Sequence, residues 1–231
     1  MDAPASLLQR WKSSLPEKVS VGGALAKNPT AYKWKAPYRS LVLREALFWR
    51  TYDLLSQAQL LHENHHTLGS RLLLRSALEA VATLAYLNQG TRALLDGEVS
   101  FNDFDERTRL LLLGSRDQTT KYQSINVLTI LKHLDRSYPG VLGIYNILSE
   151  SVHPNFEGVC FGYSEVDYER NETSFAIKLY EMWADRHDAI FSIIVLVFEH
   201  EYNGIWAPQQ ERLQTWLTEH DTDLTASCSN A

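Results

Sequence analysis

The sequence predicts an all-α fold, a single-domain bundle of long up-and-down helices, and three observations carry that reading. Apolar residues recur at three- and four-residue spacing over long stretches. Pro139-Gly140 and Pro154 break the pattern where helices should stop. Only one segment, 158–174, has room for strands, as a small hairpin.

Taken in chain order, residues 5–12 suit a short helix. Residues 13–37 carry Pro16, Gly22, Gly23, Pro29 and Pro37 and suit an irregular arm, so 1–37 is set apart from the bundle proper at 38–219. From Tyr38 to about Glu63, Leu41, Leu47, Leu54, Ala58 and Leu61 mark a long helix. Asn64 to Gly69 is polar and reads as a turn. Ser70 to Asn88 is apolar nearly all round and belongs at the centre of a core. A helix is expected within 101–113, followed by low order in SRDQTTKYQS.

Residues 125–138 form a clear amphipathic pattern that Pro139-Gly140 ends. The next helix covers 141–152, and Pro154 pushes His153 out of helical geometry. One long helix is expected over 176–202 and a last one over 205–219, with Pro208 at its start. The tail 220–231 reads as disordered.

The chain has 231 residues, 45% hydrophobic and 22% charged, enough for a sizeable core. A net charge of −6 gives no overall basic footprint for nucleic acid and no polybasic membrane surface. Cys160 and Cys228 have no metal-ligand spacing and read as free thiols of a reducing compartment. No signal-peptide pattern opens the chain, and no apolar run reaches the roughly 18 to 20 residues of a membrane span. A cytoplasmic location is expected.

Three groups of residues could carry chemistry. His62-Glu63-Asn64-His65-His66 matches HExxH, in which His62 and His66 would hold zinc and Glu63 would act as base. The bland reading is an exposed polar helix end, because helical periodicity fails there. Arg71, Arg75 and Glu79 lie on one face of the greasy helix, either as structural pairs or as a ligand site. His153 closes its helix, with Asn146, Ser149 and Glu150 on its face and Asn155 beyond. It is either a helix cap or a general acid/base beside an anion-holding arginine. Arg186-His187-Asp188 reads as a mid-helix polar patch, and Trp34, Trp49, Trp183 and Trp206 as core.

RSALEAVATLAYL, followed some 70 residues later by YNILSESVHPN, resembles a bacterial family of helical proteins of unknown function associated with the HEPN superfamily. The likeness covers roughly residues 40–200. It implies a helical bundle, commonly a homodimer, and many such proteins are metal-independent ribonucleases of toxin–antitoxin and phage-defence systems. Their motif is an arginine, four to six intervening residues, and then a histidine. No arginine of this chain is so followed, and Asn146 and its neighbours stand where one would precede His153.

The resemblance therefore implies that Arg75, held by Glu79, would stabilise phosphate charge while His153 takes the proton from a ribose 2′-hydroxyl. No cofactor is implied, and RNA, a second copy or an antitoxin would be the partners. The alternative is a non-catalytic interaction module in which Arg75, Glu79 and His153 form a buried network. The third reading is a zinc hydrolase through His62, Glu63 and His66.

Overall fold

The protein is all-α apart from one small hairpin, and the structure, a computed structural model, describes residues 4–229. The helices are α1 Pro4–Ser14, α2 Val21–Lys27, α3 Pro29–Tyr32, α4 Lys35–Glu63, α5 Thr67–Leu95, α6 Phe101–Leu113, α7 Val127–Ser137 and α8 Val141–Glu150. A π-helical turn, Phe156–Phe161, leads into strands β1 Ser164–Asp167 and β2 Glu172–Phe175. Then follow α9 Leu179–Trp183, a 3₁₀ turn Ala184–Arg186, α10 His187–Glu199, a π-helical turn His200–Ile205, α11 Trp206–Glu219 and α12 Asp221–Ser229. No described helix is long and apolar enough to cross a membrane.

The chain divides into two compact units. The first holds residues up to 15, 49–81 and 131–197. Here α5 buries Leu74, Ala77, Leu78 and Val81, as its nearly all-round apolar sequence requires. Leu131 and Leu134 of α7, Leu148 of α8, and Phe191 and Ile194 of α10 are buried in the same unit. Gly140 has φ +100, a left-handed value open to glycine, and so turns the chain between α7 and α8.

The second unit holds residues 16–48, 82–130 and 198 onward. Ala31, Ala36, Leu94, Phe101, Phe104, Leu213 and Leu217 form its core cluster, with the Trp34 ring edge-on to Phe101 at 5.2 Å.

Four expectations need correction. The 13–37 arm is not wholly irregular: Ser20 and Asn28 accept from Gly23 N–H and Ala31 N–H, and these caps start α2 and α3. The tail carries α12, and Asp221 at its start accepts from the Trp34 indole at 3.0 Å and pairs with Lys33 at 2.7 Å. The side chain of Cys228 and residues 230–231 lie outside the described part. The helix expected over 176–202 is interrupted at Ala184–Arg186 and passes into a π-helical turn at His200. Trp49 is exposed at 47%, although Trp206 is buried.

Candidate functional site

All the candidate site residues named from the sequence lie in the first unit, and its helices bring several of them together. Arg75 Nη2 donates to the Tyr145 hydroxyl at 2.7 Å, and that hydroxyl donates to Glu79 Oε1 at 3.0 Å. Arg75 and Glu79 lie 3.8 Å apart, so Tyr145 of α8 completes a pair that is loose by itself. The Arg75 guanidinium also sits over the Tyr145 ring, 4.9 Å from its centroid.

One turn earlier, Arg71 is almost fully buried at 4% exposure. Its Nη2 donates to the Ile147 carbonyl at 2.7 Å, and Glu157 lies 3.8 Å away. Ser151 Oγ donates to the same Glu157 carboxylate at 2.7 Å. Burial pushes the Arg71 pKa down to about 10; Glu157 opposes that shift and Arg186 adds to it.

The two motif helices therefore meet, but through Tyr145 and Glu157 rather than through the histidine. The His153 side chain is exposed, and among the described residues its imidazole has no hydrogen-bond or ion-pair partner. The helix ends at Glu150, before Pro154, and His153 N–H donates to the Ser149 carbonyl at 3.2 Å. Ser149 Oγ donates to the Tyr145 carbonyl, Asn155 donates to the Glu150 carboxylate, and Asn146 is exposed.

The backbone folds tightly after that: a Cβ on Gly158 would stand 2.1 Å from the His153 carbonyl oxygen, so glycine is required there.

The HExxH segment does not form one helical turn. α4 ends at Glu63, His65 takes the left-handed φ of 61°, and His66 precedes α5. His62 and His66 thus fall on either side of a chain reversal, and Gln59 Nε2 donates to Glu63. Among the described residues no group of three His, Cys, Asp or Glu is placed to hold a metal ion.

Sequence reasoning placed His187 in a polar patch and missed what it does. Its ring is buried and stacks on His62, with centroids 3.9 Å apart and planes 2° from parallel. Nδ1 lies 3.1 Å from Ser70 Oγ and Nε2 lies 3.1 Å from Gln59 Oε1. Burial holds the pKa of His187 down at about 4; His62 reinforces the shift and Asp188 opposes it.

Because Gln59 Oε1 can only accept, the neutral ring carries its proton on Nε2. Ser70 Oγ lies 2.9 Å from the Ala58 carbonyl as well, so its single hydrogen is shared between two acceptors.

Trp183 was also missed, as were Tyr145 and Glu157. The Arg71 and Arg186 guanidinium carbons lie 4.4 and 4.7 Å from the Trp183 ring centroid. Neither Trp183 nor His187 carries a local sequence signal for these roles, since Arg71 and Ser70 come from α5 and Gln59 and His62 from α4.

Two further features stand apart from these networks. In the first unit the hairpin pairs Ser164 with Phe175 and Val166 with Thr173, and Ala176 and Lys178 N–H extend the ladder to Tyr163 and Gly162. Strand alternation then puts Val166, Phe175 and Ile177 on one face and Glu165, Asp167 and Glu172 on the other. In the second unit, a cleft of about 340 Å³ is lined by Lys33, Lys35, Arg39, Arg109, Trp34 and Tyr122, among others. Asp105 fixes both arginines there, at 2.8 Å from each.

Comparison with known protein families, with curated proteins and with solved structures finds no match to this chain.

Proposed function

We propose that this chain is a non-catalytic interaction module that self-associates through the apolar face of its hairpin and π-helical turn. One observation carries the reading: between Phe156 and Ile177, seven apolar side chains stand in solvent, with Phe156, Tyr168, Phe175 and Ile177 at 74% exposure or more. At about 150–250 Å² for a whole aromatic side chain, this set exposes on the order of 800 Å². That summed area is about one partner's share of a standard interface.

A second copy is the occupant that fits. Apolar faces packed together about a twofold axis leave Glu165, Asp167 and Glu172 on the outer side, where like charges stay apart. A two-stranded ribbon is marginal without something packed on it, and the copy supplies that. In this reading the Arg71 and Arg75 networks anchor α8 and the segment that follows it, and do no chemistry.

The test is mass by light scattering on the wild type and on Phe175→Asp/Ile177→Asp. A wild-type dimer and a monomeric, equally helical double variant are expected. A wild type that stays monomeric at high micromolar concentration refutes the proposal.

The cleft in the second unit favours a second reading, an RNA-binding component of the HEPN-like kind. Cationic side chains beside Trp34 and Tyr122 suit a nucleotide's phosphate and base. Single-stranded oligoribonucleotide binding, measured by anisotropy, should then weaken in Lys35→Gln and in Arg109→Gln and fall steeply with salt. No binding at low salt removes this reading.

A further inference from the structure

The cleft of the second unit meets an anion of its own chain. Asp221, the first residue of α12, accepts from Lys33 Nζ at 2.7 Å and from the Trp34 indole at 3.0 Å, and both donors belong to residues that line the cleft. Thr225, one turn on, accepts from the same Nζ at 3.2 Å. Two side chains of one helix thus converge on a single ammonium of the cleft.

The charges around the cleft give this contact its meaning. Lys33, Lys35, Arg39 and Arg109 line it. Asp105 pairs with both arginines, and Glu106 with Arg109, each at 2.8 Å. Asp221 takes Lys33. Among the described residues the Lys35 side chain has no hydrogen-bond or ion-pair partner. Withdrawing Asp221 would free a second lysine and an indole N–H together. The first turn of α12 adds a further acid, Asp223, and the nine residues of that helix include no base. An acidic helix therefore lies against cations that an anionic ligand would need.

The contact is also weak enough to yield. The Lys33 and Asp221 side chains are 43% and 25% exposed, and an exposed pair of this kind contributes little. No residue of 221–227 is fully buried, and Leu224 is only partly buried against the core cluster. We propose, on the RNA-binding reading of this cleft, that α12 is an autoinhibitory latch. The Asp221 carboxylate holds the Lys33 and Trp34 donors in place of a ligand phosphate, and an incoming phosphodiester displaces it.

The experiment is anisotropy of a labelled single-stranded oligoribonucleotide on the full chain, as wild type, Asp221→Asn, Asp223→Asn and Lys33→Gln. Asp221→Asn keeps the size and the oxygen that the indole needs and removes the charge. Binding about two- to fivefold tighter than wild type is expected, the range that an exposed ion pair spans. Asp223→Asn removes the same charge from the same turn, and among the described residues no contact joins Asp223 to Lys33, so no comparable gain is expected. Asp221→Asn should bring no gain when Lys33→Gln is already present. Amide exchange over 221–229 should quicken when wild type is saturated with the oligonucleotide.

Equal binding by wild type and Asp221→Asn, an equal gain from Asp223→Asn, or unchanged exchange in α12 at saturation overturns the latch and leaves the RNA-binding reading standing. If neither wild type nor Asp221→Asn binds the oligonucleotide, that reading fails, and inorganic tripolyphosphate becomes the probe. Tighter binding of tripolyphosphate to Asp221→Asn than to wild type then upholds the latch, and equal or absent binding overturns it.

Discussion

Tyr145 is the side chain on which the Arg75–Glu79 pair depends. Its hydroxyl accepts from one partner and donates to the other, so Tyr145→Phe leaves both groups short of a bond. We expect a loss of about 1–3 kcal/mol in denaturant unfolding, and His153→Ala should change stability by less than about 0.5 kcal/mol. RNA incubated in EDTA with wild type and with His153→Ala should show no His153-dependent cutting. Cutting that disappears with the imidazole would restore a catalytic role to His153.

His187 gives a pH signature. Its pKa in the folded chain is about 4, below the ordinary 6.5 that it regains on unfolding. Above pH 6.5 the ring is neutral in both states and no stability is lost. As pH falls from 6.5 towards 4, only the unfolded chain takes up the proton, so stability declines, by up to about 3 kcal/mol. His187→Gln should flatten the melting-temperature profile across that window.

Among the elements, α6, α7 and α8 were legible from sequence because local signals set both ends. Ser100 accepts from Asp103 N–H at the start of α6, and Pro139-Gly140 separates α7 from α8. The break before α10 was not legible. At that break Arg71 and Arg186 stack on Trp183, and no periodicity encodes a partner more than a hundred residues away. α12 was hidden for the same reason, since its first residue is tied to Lys33 and Trp34. The hairpin was placed correctly as a possibility, but strand alternation alone did not reveal that its apolar face is left uncovered. The π-helical turn offers a direct check. Gly158→Ala must displace the backbone against the His153 carbonyl, so faster amide exchange from 156 to 175 is expected, with exchange in α5 unchanged.

For the molecule as a whole, helical periodicity predicted an all-α chain, and the structure is all-α apart from the hairpin. The net charge of −6 hides local contrasts of opposite sign: acidic residues on one hairpin face, and arginines around Trp183. Added salt should leave an apolar dimer interface nearly untouched while it weakens oligoribonucleotide binding at the cleft of Lys35 and Arg109 by screening. Sedimentation and binding measured over one salt series check this contrast. Equal salt sensitivity of the two would contradict the assignment of an apolar contact to one and a charged contact to the other.

Cys160 lies exposed within the π-helical turn, between Val159 and Phe161. Its thiol is a built-in reporter of whether that surface is covered. Alkylation of Cys160 by a maleimide dye, followed on the peptide that carries it, should proceed freely in dilute protein and slow as concentration rises, so the occupancy of this face can be followed without introducing a single new residue.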